Sequence, residues 1–245
     1  MAQLVEVDGL SGAGKSTLCV SLIKLISDVF DPSDDAQGEI VLVNDAMSHM
    51  RNDHFIISEY SLQSEFEEFC RQYPAFVNYL WRGIATRKSV RGKDLRPDFI
   101  QYAKSRLARF QYLKRNAFKG IVVSDEGIMC CIDFAIDGAP GAGDLDKINN
   151  ILDIVKLPSG TIYISASAET IARRVYERDQ HCIDRNYPHD ELIEKNYASL
   201  KKKEILYNLI EARGQSVLRL NGEGAPDENS VLALNFLKLL VKNSR

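Results

Sequence analysis

The stretch L-V-E-V-D-G-L-S-G-A-G-K-S-T-L, residues 4 to 18, constrains this chain more than any other. Its start reads as a short buried strand over residues 4–8, broken by Glu6 and Asp8. A loop with three glycines then delivers Lys15, Ser16 and Thr17 to a helix over 15–27, whose apolar face is Leu18, Leu22, Ile23 and Ile26. Strand, glycine loop and helix together contain Gly9-x-x-x-x-Gly14-Lys15-Ser16.

That spacing is the P-loop pattern, in the strand-before, helix-after context that separates it from a chance glycine turn. The glycines let successive backbone N–H groups turn inward around a phosphate, and a side chain at Gly14 is expected to obstruct that approach. Lys15 supplies a point charge for the outer phosphates, the Ser16 hydroxyl is placed to ligate Mg²⁺, and the helix N-terminus adds its partial positive charge. Gly9, Ser11, Gly12, Ala13, Gly14, Lys15, Ser16 and Thr17 are the candidate nucleotide-binding residues. The loop predicts ATP or GTP binding and leaves open a kinase, a GTPase switch or a motor.

Beyond the loop, strands and helices alternate. Strands are expected at 39–43, 121–125, 161–165 and 216–220, and helices at 62–73, 74–86, 98–119, 145–155, 166–178, 190–214 and 227–242. Asp190 is read as an N-cap and Gly214 as a terminator. The alternation demands an α/β fold with a parallel sheet wrapped on both faces. With 245 residues and no linker or internal repeat, one domain over 1–245 is expected, with a helical block at 58–118 inserted over one sheet edge. The polar segment 179–190 is expected as a lid. No run of about 18 apolar residues marks a membrane span, no signal peptide is read, and five cysteines lack a C-x-x-C pair, so a reduced cytoplasmic setting is expected.

Two further features point to phosphoryl transfer. A P-loop protein needs a carboxylate near Mg²⁺ at the end of a neighbouring strand, and I-V-V-S-D-E-G offers Asp125, with Glu126 as alternate. After T-I-Y-I-S, Arg174 and Arg178 lie four apart on a helix, one turn from each other, where two guanidiniums can clamp transferring phosphates. The alternative is a solvated basic helix face.

The order of P-loop, acid-ended strand, Glu169-x-x-x-x-Arg174-x-x-x-Arg178 and lid resembles the thymidylate kinase and deoxynucleoside kinase group of P-loop kinases, over roughly residues 3–28 and 118–242. The resemblance implies a three-layer P-loop NTPase fold with a five-stranded parallel sheet. It also implies a central acceptor-binding helical region, an Arg-bearing lid and Mg-ATP as donor. The chain departs from that group in two places. Ser124-Asp125-Glu126-Gly127 lacks the group's arginine, and Asn44-Asp45 stands where nucleoside kinases carry a Glu. Asp45 is carried over as candidate base or acceptor contact.

Net charge is −3, but residues 82 to 119 carry twelve basic side chains and two acids, an excess of ten positive charges against −13 elsewhere. This stretch reads either as an anionic-acceptor surface or as solvated helix faces. Arg106 and Arg109, one turn apart, are the preferred acceptor-phosphate candidates, with Glu126 beside them. Trp81, Phe110 and Tyr112 are candidates to stack a base, or else core. His49 and His54 lack a third ligand at metal spacing, and G-A-P-G-A-G is read as a flexible turn.

The sequence thus predicts an ATP- and Mg²⁺-dependent kinase acting on a nucleoside, nucleotide or phosphosugar. A homodimer is allowed and no membrane partner is expected. Its rivals are a 5′-hydroxyl polynucleotide kinase that uses the basic helices as a nucleic-acid track and an ATPase switch that transfers phosphate only to water. A GTPase is disfavoured by the absence of an N-K-x-D-like signature.

Overall fold

The computed structural model describes residues 3–29, 40–43, 59–87, 89–115, 121–178 and 182–243. Its central strand, β1 (Gln3–Asp8), alternates its side chains between two layers. Val5 and Val7 are fully buried against α1 (Lys15–Val29) and α9 (Pro226–Asn243), packing with Leu18, Leu22, Leu234 and Leu237. Leu4 faces the opposite layer, and Glu6 and Asp8 fall on its side of the pleat. Both carboxylates are buried, at 0% and 1% exposure.

The sheet joins β1 to β3 (Ile121–Asp125) on one side and β4 (Gly160–Ser165) on the other. It extends to β5 (Ser216–Asn221) beyond β4 and to the four-residue β2 (Ile40–Val43) beyond β3. All pairings are parallel, in the order β2-β3-β1-β4-β5. The same alternation divides the neighbours: Ile121, Val123, Ile162 and Ile164 face α1 and α9, whereas Val122 and Tyr163 face the other layer.

That second layer is helical. It contains α2 (Glu59–Gln72), α3 (Pro74–Ala85), α4 (Arg96–Arg115), α5 (Ile128–Gly138), α6 (Asp144–Ile154) and α8 (His189–Ala212). The sequence predicts no helix where α5 lies. Ile128, Met129, Cys131, Ile132, Phe134, Ala135 and Ile136 are all buried, and the less buried face, at Cys130, Asp133 and Asp137, is narrow and carries only two polar side chains. Its N-cap, Gly127, also offers no capping side chain. The cap is tertiary: the two oxygens of Glu6 accept hydrogen bonds from the amides of Ile128 and Met129, each at 3.0 Å. A carboxylate there also meets the positive end of the helix.

Asp8 anchors α8 instead. Its Oδ2 accepts hydrogen bonds from Lys203 Nζ at 2.7 Å and Tyr207 Oη at 2.5 Å. Lys203 is itself 3.1 Å from Asp133 of α5, and Tyr207 stacks on Tyr163 with ring centroids 4.2 Å apart. Burial works to raise the Asp8 pKa, but the neighbouring ammonium and phenol overcome it and hold the group below its usual range.

At its own start α8 corrects the sequence: Pro188 occupies the N-cap and Asp190 lies in the first turn, where its charge suits the helix dipole. Gly214, at φ +79°, follows the C-cap Arg213. Among the candidate stacking residues, Phe110 is core, packed edge-on against Phe69, and Trp81 and Tyr112 pack on the same cluster.

Helices α3 and α5 meet backbone to backbone. A Cβ placed on Gly83 would lie 1.7 Å from the Phe134 carbonyl oxygen, and one on Gly138 would lie 1.9 Å from that of Tyr79. Gly83→Ala is therefore expected to force the two helices apart and cost about 3 kcal/mol or more of stability, measured by urea denaturation; a cost below about 1 kcal/mol would mean that the two helices do not cross this closely.

Glu6 gives the fold a pH signature. Burial pushes its pKa up from 4.5 to about 7, and the two amide hydrogen bonds only partly oppose the rise. Because the folded pKa lies above the ordinary value, the folded state binds the proton more tightly. Its contribution is complete below pH 4.5, declines as pH rises to about 7, and is absent above that. The difference is on the order of 3 kcal/mol. Denaturation from pH 5 to 8 is expected to show a slope in the wild type that Glu6→Gln flattens; equal slopes would remove Glu6 as its source.

Candidate active site

The site is framed by the ends of β1 and β3 and the loop into α1, and is completed by side chains from the middle of α4 and the end of α7. The site lies at the carboxyl ends of the parallel strands, where the sheet order reverses around β1, the usual place for ligands in such sheets. Asp8 ends β1 and residues 9–14 form the loop into α1. The loop's turn depends on Gly12 at φ +95° and Gly14 at φ +111°. A Cβ on Gly12 would also lie 2.7 Å from the Ile171 carbonyl oxygen. Within the protein, a Cβ on Gly14 would meet only the Gly222 carbonyl oxygen at 3.9 Å, an ordinary contact, so the chain's own demand for glycine there is its positive φ.

Lys15 is buried at the first position of α1, while Ser16 and Thr17 are exposed on the same turn. The Lys15 ammonium donates to the carbonyls of Gly9 at 2.8 Å and Leu10 at 3.0 Å. Its third neighbour is Glu126 Oε1, at 3.1 Å. Burial alone would lower the Lys15 pKa. The charges of Glu126, Asp125 and Asp8 more than reverse that effect, and the pKa is raised.

Asp125 and Glu126 occupy different places. Asp125 ends β3 with its side chain buried, and its charge acts on both Lys15 and the Cys19 thiol of α1. Glu126 follows in the left-handed region, at φ +58°. There it takes up Lys15 from one side and two groups of α4 from the other. Arg106 Nη2 lies 3.0 Å from Glu126 Oε2, and Tyr102 Oη donates to that oxygen at 2.7 Å. Burial would raise the Glu126 pKa, but Lys15, Arg106 and Tyr102 together bring it down to about 2. Arg109, one turn on from Arg106, donates to the Asp125 carbonyl at 3.5 Å.

On the other side of the P-loop, α7 (Ala168–Glu177) follows β4. Its N-cap Ser167 accepts from the Thr170 amide at 3.3 Å and donates to Glu223 of the β5–α9 loop at 2.6 Å. Arg174 reaches back from α7 to the carbonyls of Gly12 at 3.3 Å and Gly222 at 2.9 Å, joining the P-loop to that same loop. Arg178 caps the C-terminus of α7. Both arginines line a cavity of about 450 Å³ with Glu177, with Gly12, Ala13, Gly14, Thr17 and Leu18 of the P-loop and α1, with Ile164 of β4, and with Gly222, Gly224, Pro226 and Asn229. Ser11 belongs to the loop but does not line this cavity.

Other candidates are placed differently. Asp45 lies outside the described residues, as do His49, His54 and His181 and, within the expected lid, 179–181. The rest of that segment packs on α7 and α8: Cys182 and Tyr187 join Val175 and Leu192, and Lys195 pairs with Asp184. Five of the twelve basic side chains in 82–119 pair with acids, three of which lie outside the stretch. Arg87 pairs with Asp137, Lys93 with Asp98, Arg96 with Asp94, Arg106 with Glu126 and Arg115 with Glu65.

The sequence did not mark Tyr102, the Asp8–Lys203 pair or the loop after β5 as parts of this region. Only the last carries a local signal: N-G-E-G-A-P is a glycine- and proline-rich turn after a predicted strand. Among the described residues, no helix is long and apolar enough to cross a membrane.

No family model matches the chain, and no curated protein sequence matches it. Among solved structures, it is similar to deoxyadenosine kinase from M. mycoides with products dCMP and a flexible dCDP bound. The TM-score is 0.48 and the identity 14%, over 96% of this chain and 99% of that one. It is also similar to deoxyadenosine kinase from M. mycoides with bound dATP, with a TM-score of 0.46, 14% identity and the same coverage. At these scores and identities the likeness carries no functional argument.

Proposed function

We propose that the protein is an ATP-dependent phosphotransferase that moves the γ-phosphoryl group of Mg-ATP to a small acceptor of the nucleoside, nucleotide or phosphosugar class. One observation carries the proposal: a P-loop with Lys15 at the head of α1 opens beside a cavity that Arg174 and Arg178 line. In this reading the loop amides and Lys15 hold the donor's phosphates, as at other helix N-termini. Arg174, already fastened to the P-loop backbone, and Arg178 face the transferring group and offset its developing charge.

The residues present suit Mg²⁺. Ser16 presents its hydroxyl on the exposed first turn of α1, and Asp125 stands close enough for its charge to act on Lys15. One hydroxyl and one carboxylate are the sparse protein set that this cation uses when phosphates and water complete its shell. Held by Ser16 and Asp125, Mg²⁺ would supply positive charge that neutralises the donor's phosphates. The remaining task of the chain is positioning, because phosphoryl transfer requires little covalent chemistry from the protein.

In this reading the acceptor binds at the carboxyl end of β3, near Arg106, Arg109 and Glu126, and Asp45 serves as the base toward an acceptor hydroxyl. Support for a small acceptor over a nucleic-acid track comes from Arg87 and Arg106, which are largely buried and ion-paired to Asp137 and Glu126; a phosphate-tracking surface would present such groups to solvent.

Incubation with γ-labelled ATP and a panel of nucleosides, nucleotides and sugar phosphates is expected to yield one labelled small product. Lys15→Ala is expected to lower the rate about 100-fold or more, with the folded state checked by circular dichroism. Release of free phosphate alone across the panel would replace the kinase with a hydrolytic switch, and retention of full activity by Lys15→Ala would remove the P-loop assignment itself.

A further inference from the structure

We propose that Glu126 is a latch on the P-loop lysine: its carboxylate holds the position on Lys15 that a phosphate must take, and Arg106 and Tyr102 tie that latched state to the acceptor-side helix. The inference rests on the kinase reading, in which Lys15 binds the donor's phosphates.

An ammonium has three donors, and those of Lys15 have three acceptors: the carbonyls of Gly9 and Leu10 and the carboxylate of Glu126. A phosphate oxygen can reach Lys15 only by displacing one of them. The two carbonyls belong to the loop itself. Glu126 is the anionic competitor, arriving from a different strand. Its side chain is largely buried, 17% exposed, so solvent does little to screen the pair.

The backbone shows how firmly Glu126 is directed to this place. It is one of two non-glycine residues with positive φ among the described residues, and the other, Arg91, lies in the exposed turn between α3 and α4. A left-handed residue persists where its surroundings over-determine it, commonly at functional sites. Here the Glu126 amide donates to the Val7 carbonyl at 3.1 Å, which fixes the turn to β1. Arg106 and Tyr102 then fix the carboxylate from α4. One anion is thereby shared between a donor-side and an acceptor-side cation. Phosphate on Lys15 and the carboxylate on Lys15 exclude one another, so the latch lowers the apparent donor affinity by the fraction of molecules in which it is closed.

The test uses the full-length protein and equilibrium binding of inorganic tripolyphosphate and of ATP, by calorimetry, without an acceptor. Glu126→Gln and Glu126→Gly are both expected to bind each ligand about tenfold more tightly than wild type. The glycine variant guards against misfolding, since it relieves the left-handed strain while removing the carboxylate. The gain must act through Lys15, so it is expected to vanish in the Lys15→Ala, Glu126→Gln double variant. Unchanged or weaker binding in both single variants overturns the latch and leaves the kinase reading in place. So does a gain that survives without Lys15, because simple removal of a negative charge would then explain it. Indifference of binding to Lys15→Ala alone overturns the kinase reading, and the latch with it.

Discussion

The architecture turns on one strand carrying two buried carboxylates. On its other face β1 is an ordinary core strand, with Val5 and Val7 packed between α1 and α9. On the face of Glu6 and Asp8 the apolar layer is interrupted, and each interruption is matched by a single helix. Glu6 satisfies the exposed amides at the head of α5, and Asp8 accepts the charge of Lys203 from the middle of α8. A buried carboxylate without such a partner is costly, so each acid restricts where its helix can lie. The same strand then runs directly into the P-loop, which places the loop's geometry downstream of both anchors.

The site continues this use of buried charge. Lys15, Glu126 and Arg106 form a chain from α1 through the end of β3 to α4, and Asp125 adds a second carboxylate beside it. Across the P-loop the contacts are of a different kind. Arg174 holds backbone carbonyls rather than carboxylates, and its guanidinium joins two loops while bordering the cavity. One flank of the loop is thus an ion-paired cluster, the other a cavity bordered by two arginines and by Glu177, which pairs with Arg173. An anionic ligand approaching the first flank must compete with Glu126.

Much of this was legible in one dimension. The P-loop is a local object: strand, glycine turn and helix start lie within fifteen residues, and each residue type answers a local demand. The alternation of apolar strands with amphipathic helices likewise announces a parallel α/β sheet. Arg174 and Arg178 drew notice through helical spacing, and both border the cavity, although α7 ends at Glu177 and Arg178 is its extended C-cap. Asp125 and Glu126 were found as a pair because a strand ends there, though their separate roles were not visible. Helix α5 escaped because its polar face is narrow and its start carries no capping side chain of its own; the group that caps it, Glu6, stands more than a hundred positions earlier.

Local chemistry therefore specified the glycine turn of the P-loop, the fold class and the spacing of Arg174 and Arg178, because the forces behind them act between near neighbours along the chain. Folding alone settled the partners of the buried charges: Glu6 with the head of α5, Asp8 with Lys203, and Glu126 with both Lys15 and Arg106. A titratable side chain carries no mark of whether it faces water or the interior, or of which opposite charge it will meet. Those outcomes depend on burial and on contacts between segments that come together only when the sheet and its helices assemble.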